Sequence, residues 1–162
     1  MALNTKQLRD YFTDHLSRIY CGKKHIVTRF PELVEKASFK DICYAIEETV
    51  EDVRNQISRM DEIFHKLQSE PEMGPCVGLQ ALLDEAGKAI SEEDGDQRLR
   101  DMAILFYLQN IESTEVASFQ VLRIVAKALN DPAIDQLLME NFDEARDDRT
   151  LLLELTEKYL PG

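Results

Sequence analysis

Glycine and proline are scarce, six and five in 162 residues. That is too few to turn the chain every ten residues, as a many-stranded all-β fold requires. No apolar run approaches a membrane span, and the first ten residues lack the apolar core of a secretory signal. Cysteine is limited to Cys21, Cys43 and Cys76. An odd number, widely spaced and without a C-x-x-C pair, reads as reduced thiols, buried as small hydrophobes in a cytoplasmic protein. Zinc binding would need closer ligand spacing. Positive charge is also short: 19 Lys and Arg against 31 Asp and Glu give a net charge of −12. Such a chain is repelled by phosphate backbones and anionic lipid, so neither a nucleic acid nor a membrane is expected as a partner. Glycine-rich phosphate loops and the G-x-S-x-G elbow are missing, so no nucleotide or hydrolase chemistry is indicated and no catalytic residue stands out.

What the chain does contain is helical periodicity. A first segment, about 5–36, repeats Leu8, Phe12, Leu16, Ile19, Ile26, Phe30 and Leu33 mostly at spacings of three and four. Asn4 or Thr5 can cap it, and Pro31 should kink it. Ser38 and Asp41 resemble a capping signal for a second helix, running to about Ser69. The stretch from Glu70 to Pro75 ends that helix. A shorter amphipathic helix follows over about 76–91, with Val77, Leu79, Leu82, Leu83 and Ile90 on its apolar face. The acidic run 92–96 is a turn. A third long helix spans about 97–129, carrying Leu99, Met102, Leu105, Phe119 and Leu122. Pro132 suits the first turn of a fourth long helix over about 133–159. The expected architecture is therefore all-α: one domain, residues 1–162, forming a four-helix bundle. A long, partly helical crossover joins the second and third long helices, the connection of ferritin-like folds. An up-down-up-down bundle with a decorated loop is the second choice.

The predicted inner faces turn polar at mid-height. Lys23 interrupts the first stripe, Thr49, Asp52 and Gln56 lie along one edge of the second, and Glu112 and Glu115 interrupt the third. On the fourth, Ala145 sits inward with Arg149 in line. Buried charges are costly unless paired or metal-bound, and facing carboxylates at this height are how such bundles hold two metal ions. Two weaker signals, the E-x-x-H pair Glu62 and His65 and the i, i+4 pair Cys21 and His25, read as a surface pair and as a coincidence.

The run from Arg100 to Phe119, with its E-x-x-E pair Glu112 and Glu115, resembles the YciE/YciF-type stress proteins of bacteria, a branch of the ferritin-like superfamily. So do Leu8 to Phe12, Ile19-Tyr20, Gln56 to Phe64 and the position of Cys76. The resemblance spans almost the whole chain. It implies a bundle that pairs as a homodimer, a stress-linked role and a two-metal centre. Family carboxylates carry over onto Glu112 and Glu115, and a third onto Asp52, one methylene shorter. Two others fall at Lys23 and at about Ala145, and the family's histidines fall at Thr49 and Ser113. A protonated lysine offers no lone pair and alanine offers nothing. The expectation is a degenerate centre in which Lys23 replaces the metal, pairing with Asp52 and Glu112 and helped by Arg149. Asp52, Glu112 and Glu115 remain as vestigial or weak ligands. The function expected is a non-enzymatic, cytoplasmic, stress-associated protein without a cofactor, acting by dimerisation or partner binding. The alternative is an iron- or manganese-binding oxidoreductase or iron-handling protein using those three carboxylates.

Overall fold

The computed structural model describes residues 2–74, 76–93 and 95–161. Pro75 and Asp94, which belong to the predicted breaks, lie outside the described residues. Among the described residues, six helices follow one another: α1 (Thr5–Arg29), α2 (Pro31–Lys36), α3 (Lys40–Lys66), α4 (Val77–Glu92), α5 (Gln97–Ala128) and α6 (Pro132–Lys158). Among the described residues there is no strand, and no helix is long and apolar enough to cross a membrane.

Local chemistry sets most boundaries. The Asn4 side chain accepts from Gln7 N–H at 2.9 Å while the Gln7 side chain returns to Asn4 N–H at 3.0 Å, a reciprocal capping box. Pro31 takes the first position of α2 and so splits the predicted first helix at Phe30. α3 and α5 both end in Schellman motifs. Gln68 and Asn130 adopt positive φ, 52° and 58°, and Ser69 and Asp131 N–H reach back to the carbonyls of Phe64 and Ala126. Asp131 then caps α6, accepting from Ile134 N–H at 3.1 Å, with Pro132 next in line. The expected cap at Ser38 is not made by its own hydroxyl. The buried carboxylate of Asp101, on α5, accepts from Ser38 N–H and Phe39 N–H at 2.7–3.0 Å. A charge from another helix thus meets the positive end of the α3 dipole.

Cross-helix contacts fix the directions. Arg9 donates to the Leu67 carbonyl and Lys23 reaches Gln56, so α1 and α3 run antiparallel. Lys158 pairs with Asp41 and Arg59 with Glu144, which makes α3 and α6 antiparallel. Arg123 and Asp135 do the same for α5 and α6. Ser38 meets Asp101 while Lys23 meets Glu115, so α5 opposes α1 and runs parallel to α3. The packed ring is α1–α3–α6–α5, and residues 67–96, carrying α4, traverse its length. That is the crossover predicted from the sequence.

The core is the apolar stripe of each long helix, including Phe12, Leu16, Ile46, Met60, Leu105, Phe119 and Leu138. Two predicted inward residues face out: Val77 is 62% exposed and Leu99 56%. Both occupy the first turn of their helix, where the bundle has not yet closed over them.

Candidate functional site

The polar layer expected at mid-height exists, and its centre is Lys23. This side chain is fully buried. Its ammonium donates to Glu115 Oε2 at 2.6 Å and to Gln56 Oε1, and lies 4.9 Å from the centre of the Phe119 ring. A charged hydrogen bond, a neutral one and a π face together replace the water that an ammonium loses on burial. The predicted partners for Lys23 were Asp52 and Glu112. The lysine stem, rising from α1, instead points between α3 and α5, where Gln56 and Glu115 stand.

Three further acidic groups surround the Lys23–Glu115 pair. Glu112 is buried with neither carboxylate oxygen hydrogen-bonded. Desolvation, and then the charges of Glu115 and Asp148, hold it well above the usual carboxylate range, against the pull of Lys23. Asp148 is pushed up to about 8, first by burial and then by Asp52, Glu115 and Glu48. Asp52, half-buried on α3, is also raised by burial and by Glu144 and Glu48, with a hydrogen bond from Asp148 opposing. Glu115 uses one oxygen for Lys23 and leaves Oε1 unbonded. Burial and the surrounding charges thus favour the neutral forms of Glu112 and Asp148, while the Lys23 side chain keeps its contact with Glu115.

The layer extends along the α3–α6 seam. Arg59 clamps Glu144 through two hydrogen bonds of 2.7 Å, reaches Glu140 at 3.0 Å, and donates to Asn141 at 3.2 Å. Asn141 in turn donates to the Gln56 carbonyl at 3.3 Å. Arg149 is half-buried and meets Gln109, one turn from Glu112 on α5, through its Nε and its carbonyl at 3.0 Å each. Ala145 and Thr49 are buried in the layer, and Glu62 and His65 are exposed on α3, as a surface pair should be.

Sequence reasoning missed Asp148, Asn141 and the Arg59 clamp. The signal was present: Leu138, Asn141, Ala145, Asp148, Leu152 and Leu155 follow an unbroken three-four spacing, and all six are buried. It also missed a cluster of ligand-type side chains beside the layer. Among the described residues, the one group of three His, Cys, Asp or Glu with ligand atoms within 4.8 Å of one another is Cys21, His25 and Cys76. Next to it, a cavity of about 780 Å³ opens between α1, α5 and the start of α4, and both Cys76 and Glu115 line it.

Comparison with known proteins places the chain in a family. The family described as a domain of unknown function, DUF892, matches residues 7–160. Protein YciF of Escherichia coli is 26% identical over 148 residues, covering 89% of this chain and 87% of its own. The crystal structure of the E. coli stress protein YciF superposes with a TM-score of 0.90 at 24% identity, over 95% of this chain and 97% of that one. YcfI from Rhodopseudomonas palustris does so with a TM-score of 0.87 at 26% identity, over 94% and 97%.

Proposed function

Since this chain belongs to the DUF892 family, we propose that it is a ferritin-like, stress-associated protein whose central layer works without a metal, and that it acts by pairing with itself or a partner rather than by catalysis. One observation carries the reading: a buried ammonium, that of Lys23, occupies the middle of the carboxylate layer. The donor set suits two divalent ions poorly. Each ion needs several anionic oxygens with imidazole support. Here one oxygen of Glu115 is bonded to Lys23, Ala145 has no donor, and no histidine lies in the layer. The up-down-down-up connectivity supports the ferritin-like assignment. Its relative YciF is described as a stress protein. For self-association, the support is apolar surface on α5, where Phe106 is 63% and Ile124 65% exposed. Tyr11 and Val27 on α1 contribute less: Tyr11 is 39% exposed and Val27 packs against the core.

The unbonded oxygens of Glu112, together with Glu115 Oε1 and Asp148 Oδ2, favour a second reading. In it, one iron or manganese ion sits on Asp52, Glu112 and Glu115 once Lys23 swings away.

Metal loading separates the two. The Cys21→Ser/Cys76→Ser protein and its Lys23→Glu derivative are incubated with ferrous iron or manganese, desalted and assayed for metal. The first should retain none, and the second, with a fifth carboxylate in place of the cation, should retain about one ion per chain. Two ions held by the protein with Lys23 intact would restore the di-metal oxidoreductase. One ion, lost on Glu112→Gln, would establish the reduced site.

A further inference from the structure

Cys21 and His25 lie one turn apart on α1, and the segment leading into α4 delivers Cys76 against them. Gly22 faces the start of α4 closely: a Cβ there would meet the end of the Leu79 side chain, which would have to shift. Both thiols are buried and His25 is half-buried. Cys21 donates to the Gly74 carbonyl at 3.4 Å, and the Cys76 sulfur lies within 4.8 Å of the Cys21 sulfur. The Gln80 amide nitrogen stands 2.7 Å from His25 Nε2 and fixes the ring. The cavity beside Cys76 opens a route for a small ion.

We propose that Cys21, His25 and Cys76 form a binding site for one thiophilic d10 cation, Zn2+, separate from the central carboxylate layer. Two thiolates cancel the charge of the dication, and a neutral imidazole supplies the third ligand. Water or the Gly74 carbonyl completes a tetrahedron, a Cys2His donor set with one position not given to a side chain. With Zn–S near ~2.3 Å and Zn–N near ~2.0 Å, tetrahedral ligands stand about 3.5 Å apart. Atoms already within 4.8 Å of one another close on the ion with side-chain adjustments of roughly 1 Å. Two sulfurs and a nitrogen select zinc over magnesium or manganese, which prefer oxygen. Burial and the neighbouring Cys21 push the Cys76 thiol up to about 11, and thiols that become thiolate ligands give up their protons on binding. Gln80 serves as a positioning residue once its amide is turned, so that its oxygen accepts from His25 Nε2–H and Nδ1 is left for the ion.

The experiment uses the full chain, reduced and anaerobic, titrated with Co2+ and then Zn2+. The expected result is a thiolate-to-cobalt charge-transfer band that saturates at one equivalent, is bleached by Zn2+, and is accompanied by release of about two protons per ion. Cys21→Ser and Cys76→Ser should each abolish one-equivalent binding. Cys43→Ser and Glu112→Gln should leave it intact, which separates this site from the central layer. Gln80→Ala should weaken it by roughly 10–100-fold. Circular dichroism checks the helix content of each variant. Should a serine variant unfold, His25→Gln serves instead, with loss of tight binding expected. Absence of the band, its survival in Cys21→Ser, or its dependence on Cys43 would each overturn the proposal.

Discussion

Lys23→Met removes the ammonium while keeping most of the stem volume. Glu115 then loses its charged partner and Gln56 Oε1 its donor, and the carboxylate is left buried and unpaired. Orphaning one member of a buried pair costs about 3–5 kcal/mol, but a carboxylate has an escape: it can take up a proton. From an ordinary value near ~4.3, protonation costs about 1.36 kcal/mol per pH unit, or ~3.7 kcal/mol at pH 7 and ~1 kcal/mol at pH 5. The penalty is thus capped by protonation and must shrink as the solution is acidified. Urea unfolding followed by circular dichroism should show Lys23→Met less stable by about 3–4 kcal/mol at pH 7 and by about 1 kcal/mol at pH 5. Adding Glu115→Gln should recover most of the loss at pH 7. A change below ~1 kcal/mol at both pH values would mean that the ammonium reaches water and that the buried pair is not held in solution. A loss independent of pH would assign the effect to packing.

Two further outcomes follow from groups already placed. Asp148 binds its proton more tightly folded than unfolded, because its carboxyl is raised to about 8. Its contribution is complete below its unfolded value near ~3.9 and disappears as pH rises through 8, so stability should decline between these limits and Asp148→Asn should flatten the decline in a pH series of denaturation midpoints. Asp101→Ala strips the carboxylate from Ser38 and Phe39 N–H. It should cost about 1–3 kcal/mol and raise amide exchange in the first turn of α3 before it affects the centre of the bundle.

The long helices and their crossover were readable because each signal was local. Asn4, Pro31 and Pro132 act on their own turns, and three-four spacing names a buried face without knowledge of what covers it. The layer was only half readable for the same reason. Lys23, Glu112 and Glu115 broke apolar stripes and could be seen as misfits. Asp148 was passed over because Phe142 and Arg149, one residue on from Asn141 and Asp148, also fit a loose helical repeat. A phase error of one residue rotates the face by about 100°. What no local signal carried was pairing between distant positions. Lys23 chooses Glu115 over Glu112 across 92 residues, Asp101 caps a helix that begins 61 positions earlier, and Cys76 joins Cys21 only through the path of the crossover. Each depends on which helix faces which, and therefore on the ring order.

The Lys23–Glu115 pair also has a consequence in mass action. A dissociable ion stabilises its host only to the extent that supply exceeds its dissociation constant, so such a core varies with the surrounding concentration and can be emptied by a competitor. A cation attached to the backbone has no dissociation constant. It is never diluted, never stripped by a chelator, and loses no translational freedom on reaching its seat, because it was delivered with the chain at synthesis.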